Sequence, residues 1–200
     1  MIGFFLLVIL YFAFSLGLPW HKIPSTVSFS YVFDLLFALS VSFFFQLQWR
    51  FKWHFSKQSF KLMAEVFCIA LFSVLAIWFL DIETPFRLLS DLEWHLLFFA
   101  PILEELVFRQ TFQRFLINQL GGKYVTSMLV ASVFAFSHLV GLQVLPVEYV
   151  PFIGFQVFYT FTLGVICGQA LLRFHSIFAP ILLHFIFNLT FYIALQLEII

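Results

Sequence analysis

Six side chains in the second half of this sequence have types and spacings suited to chemistry. They are Glu104, Glu105 and Arg109 in EELVFR, His138 in VFAFSH, and His184 and Asn188 in LLHFIFN. A carboxylate beside imidazoles could activate a water, ligate zinc together with two histidines, or relay protons. Each of these chemistries requires the residues to meet, so the segments that carry them must be read first.

The chain has 200 residues, 63% of them hydrophobic and 10% charged, with a mean hydropathy of +1.05. That balance is foreign to a soluble domain and marks a membrane protein. Ten basic and ten acidic residues cancel to zero net charge, which leaves no basic surface for nucleic acid and excludes that class. Cys68 and Cys167 lie inside apolar runs with no CxxC spacing and read as packing residues. The opening MIGFFLLVILYFAFSLGL lacks a basic n-region and a small-residue cleavage site, so a retained first span is expected.

A bilayer core needs about 20 apolar residues per helix. Such runs fall near 2–18, 27–49, 62–80, 94–117, 124–143, 149–172 and 177–198. The predicted fold is therefore all-α, a polytopic transmembrane bundle of about seven spans, with no internal repeat and no linker that would divide it. Arg50, Lys52, Lys57, Lys61, Arg114, Lys123 and Arg173 fall in loops on one side of a seven-span chain. Asp81, Glu83, Asp91, Glu93 and Glu148 fall on the other, with Lys22 and Arg87 as exceptions. Basic loops stay in the cytoplasm, so the N-terminus is expected inside and the C-terminus outside. Trp20, Trp49, Trp53, Trp78 and Trp94 all lie near predicted span ends, where indole rings prefer the headgroup level.

Ionisable residues within spans are costly and usually face a bundle interior. At about 100° per residue, Glu105 and Arg109 share a face and can form an intrahelical ion pair that needs no chemistry. Glu104 points elsewhere, has Phe108 one turn on, and needs a partner from another helix. His138 taken alone reads as a core histidine bonded to a carbonyl. His184 and Asn188, four apart, read equally well as interhelical glue. Three helices nevertheless each supply a polar group with no evident partner of its own, and one shared cavity would satisfy all of them. A rise of about 1.5 Å per residue puts Glu105 about 16 Å, Asn188 about 14 Å and His138 about 8 to 12 Å from the outer side, with His184 nearer about 20 Å. That spread matches the uncertainty of the span ends and leaves convergence near the midplane open. Asp34, Ser137 and Gln169 are the remaining polar residues weighed, and Asp34 has no assigned role.

EELVFR, VFAFSH and LLHFIFN, in this order, resemble the EExxxR, FxxxH and HxxxN motifs of the CPBP family of CAAX-prenyl-protease-like intramembrane proteases, also called the ABI family. The resemblance covers roughly 95–190, including GVICGQALLRFHSIFAPILLH between the second and third motifs. It divides the single domain 1–200 into variable peripheral helices over 1–93 and catalytic helices over 94–198. Gln110 departs from the glycine that many members carry, which bears on packing against the neighbouring span. Gly164 and Gly168 form a GxxxG that permits close helix approach.

Peptide hydrolysis needs an activated water, stabilisation of the carbonyl oxygen and proton delivery to the leaving amine. The resemblance implies Glu104 as general base, His138 as its co-ligand on the water, His184 and Asn188 as the oxyanion site, and Glu105 with Arg109 as the supporting shell. It also implies a membrane-tethered peptide substrate, with prenylated CAAX processing as the family's named activity. No cofactor is expected, although two histidines and a glutamate are also a zinc set; there is no HExxH, and Asn188 suits an oxyanion better than zinc. The rival readings are a transporter or channel with a Glu/His proton relay, and a non-catalytic membrane scaffold.

Overall fold

A computed structural model describes residues 1–17, 29–88, 95–121 and 124–200. The span-end tryptophans Trp20 and Trp94 and the loop charges Lys22, Asp91, Glu93 and Lys123 lie outside the described residues. The described residues form seven helical stretches and no strand. These are α1 (Ile2–Gly17), α2 (Phe29–Phe44), α3 (Lys57–Phe79), a composite α4 over 95–120, α5 (Tyr124–Ser137), α6 (Val150–Phe174) and α7 (Phe178–Gln196). Among them, Lys57–Phe79, Tyr124–Gln143, Val147–Phe174 and Phe178–Gln196 are long and apolar enough to cross a membrane, and Ile2–Ser15 and Tyr31–Phe44 are shorter apolar helices.

Capping moves two boundaries away from the apolar runs. Ser56 and Ser59 form a capping box that starts α3 at Lys57 instead of 62. α2 stops at Phe44, and Gln46 turns the chain away with φ 51, five residues short of the expected end at 49. Hydropathy counts greasy residues, whereas a helix end depends on where its orphan amides and carbonyls find partners.

α4 is the unusual element. It runs through π-helical His95–Phe99, α-helical Ala100–Glu105, π-helical Leu106–Gln113 and α-helical Arg114–Leu120, and ends at Gly121 with φ 78. Pro101 cannot donate to the preceding turn, which accounts for the widened backbone before it. Every residue from Leu106 to Gln113 is buried, because α1, α2, α5 and α6 all pack around this segment. Phe4 and Tyr11 of α1 meet Phe108, Phe112 and Val107 on one side, and Ala38 of α2 meets Leu106 on another. A second core joins α3, α6 and α7 through Val66, Val74, Leu163, Leu183 and Phe187.

α5 and α6 cross where the GxxxG predicts. A Cβ on Gly164 would stand 3.0 Å from the Ala131 Cβ, and one on Gly168 would stand 2.8 Å from the Ser127 Cβ. The outward surface carries Phe43, Phe72, Phe79, Phe136 and Phe158, each more than half exposed, as a bilayer-facing surface should. Two contacts gather the basic end of the bundle: the Met1 ammonium donates to Gln119 Oε1 at 2.9 Å, and the Ile177 amide donates to the Arg50 carbonyl at 2.8 Å. The opposite end holds Asp81, Glu83 and Glu198 around a pocket of about 420 Å³.

The crossing can be tested by adding one methyl. Gly168→Ala should destabilise the protein by about 1–3 kcal/mol through overpacking, whereas Gly154→Ala, with nothing within 4 Å of its added Cβ, should not. Thermal unfolding in detergent distinguishes them, and equal midpoints would show that the α5–α6 approach has slack.

Candidate active site

α4 presents its two carboxylates differently because Ala100–Glu105 is ordinary α-helix, so neighbours diverge by about 100°. Glu105 is sealed, with a side-chain exposure of 0%, and its Oε2 lies 3.1 Å from Arg109 Nε. Its other oxygen, Oε1, lies 3.0 Å from His184 Nδ1 on α7. The expected ion pair is therefore present and has a third member. Glu104 keeps 31% of its side chain exposed, and its Oε2 lies 3.7 Å from His184 Nε2. The partner required from another helix is this histidine.

The hydrogen-bond partners fix one protonated nitrogen on each imidazole. A carboxylate only accepts, so His184 Nδ1 carries the proton that it gives Glu105, and Nε2 faces Glu104. His138 opens a 3₁₀ turn at the end of α5, where its Nδ1 donates to the Phe134 carbonyl at 3.0 Å. That leaves His138 Nε2 as an acceptor. The carbonyl bond foreseen for a core histidine is thus present, and His138 lines the same cavity as the glutamate as well. The Phe134 ring packs on both imidazoles, with centroids 5.1 Å from His138 and 5.9 Å from His184, and lies 4.9 Å below the Arg109 guanidinium.

Glu104, His138, His184 and Asn188 line one cavity of about 110 Å³. Glu105 and Arg109 stand behind it. Arg109 Nη2 also reaches the Gly164 carbonyl at 3.4 Å, and Gln113 Nε2 donates to the Gly168 carbonyl at 2.9 Å and to Ser127 Oγ at 3.1 Å. Both GxxxG glycines therefore expose carbonyls to α4 as well as letting helices approach. Gln110, the departure from glycine, bonds the Gln48 carbonyl through Nε2 at 3.2 Å and accepts from Arg114 Nε at 2.8 Å. It fastens α4 to the segment after α2.

The sequence reading missed the α6 wall, where Gln156, Tyr159 and Thr160 line the cavity. The available signal was polar residues four apart in an apolar span, as with His184 and Asn188. Thr160 would still have been discounted, because its hydroxyl bonds its own helix at Gln156 O, 2.7 Å. Asp34 is resolved as a partner of the first span, accepting from the Tyr11 hydroxyl at 2.9 Å. Ser137 bonds the Phe134 carbonyl of its own helix at 2.6 Å.

Among the described residues no group of three or more His, Cys, Asp or Glu side chains is placed to hold a metal ion. Comparison with known families matches residues 92–190 to the model described as type II CAAX prenyl endopeptidase Rce1-like. No curated protein and no solved structure matches the chain.

Burial sets the worth of the carboxylate clamp. Glu105→Ala, which leaves Arg109 and His184 buried without their acceptor, should cost about 3–5 kcal/mol. Glu65→Ala, which breaks the exposed Lys61–Glu65 pair at 3.7 Å, should cost about 0–1 kcal/mol. Unfolding of both variants in the same micelles gives the comparison, and similar losses would mean that Glu105 holds nothing together.

Proposed function

Residues 92–190 place the chain in the type II CAAX prenyl endopeptidase Rce1-like family, and from that premise we propose that it hydrolyses a peptide bond of a membrane-tethered substrate with a water activated by Glu104. The family is a protease family and the chain is an integral membrane protein, so substrate and nucleophile would meet within or beside the bilayer. A peptide carried by its own span or by a lipid, prenylated CAAX chains included, could reach a cavity between helices laterally.

One observation carries the reading: four side chains from three helices line a single cavity, and of two adjacent carboxylates only Glu104 is reachable. In the proposed cycle a water sits between Glu104 and His138 Nε2. Glu104 removes its proton as the oxygen attacks the carbonyl carbon, forming the C–O bond. His184 Nε2 and the Asn188 carboxamide hold the resulting oxyanion. Glu104 then returns the proton to the amide nitrogen as the C–N bond breaks, releasing a carboxylic acid and an amine, which exchange a proton to leave as carboxylate and ammonium.

Charge balance favours this assignment of roles. For His184 Nε2 to donate to the oxyanion while Nδ1 donates to Glu105, the ring must carry both protons in this mechanism, so that with Arg109 it offsets the two carboxylates. When the water proton moves to Glu104, the charge it neutralises reappears on the oxyanion, so the net charge of the buried site stays constant. No step is routed through a metal.

With a membrane-tethered peptide in proteoliposomes, Glu104→Gln and His138→Ala should each lower turnover by about 100-fold or more while thermal stability is kept. Full activity in Glu104→Gln would remove the general base. Cleavage should also survive exhaustive chelation, and a loss that zinc restores would overturn the metal-free mechanism.

A further inference from the structure

A second polar pocket lies at the basic end of the bundle, between the turn after α2 and the end of α4. It has a volume of about 280 Å³ and is lined by Gln46, Leu47, Gln48, Arg114, Ile117 and Asn118. The protease reading makes no use of it. We propose that this pocket binds the phosphate of an anionic phospholipid headgroup.

The argument begins with two arginines. Arg114 gives Nε to Gln110 Oε1 at 2.8 Å, while its Nη2 is buried without a hydrogen-bond partner. Arg50 reaches a residue of the pocket wall, donating from Nη2 to Gln48 Oε1 at 2.7 Å, and it is near enough to Arg114 for their charges to repel. Among the described residues neither has a carboxylate within ion-pair distance. Like charges drawn together in a partly desolvated site raise its affinity for an anion. The carboxamides of Gln46, Gln48 and Asn118 supply neutral donors around it.

The level of the pocket selects the anion. Phe43, Phe44 and Phe45 immediately precede Gln46 and are 81%, 78% and 47% exposed, so in a bilayer they belong in the acyl region. Trp49, three residues beyond Gln46, is half-buried at the same end. The pocket therefore lies where apolar lipid-facing surface gives way to polar surface, at headgroup depth. Basic pockets at that depth between helices suit anionic headgroups, whose phosphate the bilayer already holds at that level. Rigid attachment helps: Gln110 fixes both Arg114 and the Gln48 backbone, the latter at 3.2 Å, so the donors are held before the lipid arrives.

Native mass spectrometry of the purified full chain tests this, with phosphatidylglycerol and phosphatidylcholine titrated separately. One phosphatidylglycerol should be retained at least tenfold more tightly than phosphatidylcholine, and Arg114→Gln should weaken it at least tenfold. Asn118→Asp guards against misfolding, because it adds a carboxylate at an exposed position on the pocket wall and keeps both arginines. It should expel phosphatidylglycerol to the same degree without lowering the lipid-free unfolding temperature. Equal retention of the two lipids, or phosphatidylglycerol binding that is indifferent to Asn118→Asp, would overturn the site. Inorganic phosphate bound through Arg114 with no preference for phosphatidylglycerol would overturn the lipid assignment in favour of a soluble anion.

Discussion

Glu105 is a carboxylate with no access to water, held 3.1 Å from Arg109 and 3.0 Å from His184. A charge so placed is tolerable only if its partners arrive in good geometry, and that requirement organises the helices around it. Arg109 lies one turn along α4, but its guanidinium also meets the Gly164 carbonyl of α6 and the Phe134 ring of α5. His184 comes from α7. One buried anion thus fixes α4 against the three helices that build the cavity, and it sets the ring orientation that turns His184 Nε2 toward Glu104.

The same constraint explains why so polar a segment can lie at the centre of so apolar a protein. Arg109, Gln110, Thr111 and Gln113 are all fully buried, and an isolated helix in lipid could not carry them. Each has an acceptor supplied by a neighbour or by its own backbone: the Gly164 carbonyl, the Gln48 carbonyl, the Leu106 carbonyl and the Gly168 carbonyl. Two of these acceptors are exposed because glycine has no side chain to cover them. Close approach of α5 and α6 and satisfaction of α4 are therefore two consequences of one GxxxG.

Much of this was legible in the sequence, for identifiable reasons. Long apolar runs showed the helices because lipid demands internal backbone pairing over a fixed thickness. The Glu105–Arg109 pair followed from helical spacing alone, and the isolation of Glu104 from the identity of Phe108. Helix ends were not legible from hydropathy, since the Ser56–Ser59 capping box and the left-handed Gln46 are local hydrogen-bond and backbone effects. Nor could spacing at 100° per residue foresee the π-helical register of Leu106–Gln113, which depends on partners around the whole circumference. The α6 wall escaped notice because Gln156, Tyr159 and Thr160 carry no charge and stand outside the three motifs, and only the folded chain brings them to the same cavity.

Two adjacent glutamates at first look redundant, yet adjacency is what lets one helix turn perform two incompatible tasks. A reactive carboxylate must touch water and accept a proton, whereas a carboxylate that anchors a cation must be kept from water so that its field is not screened. Placing them one residue apart turns them about 100° from each other, so a single wall of α4 separates wet from dry. His184 spans that wall, with one nitrogen on the sealed oxygen and the other toward the open one. In the proposed mechanism the ring therefore senses both carboxylates, and a proton gained by Glu104 changes the field on a histidine whose position Glu105 has already fixed. Moving either glutamate one position away from the other would turn the two about 200° apart and carry the moved one away from His184, whereas two carboxylates a full turn apart would share one side of the wall.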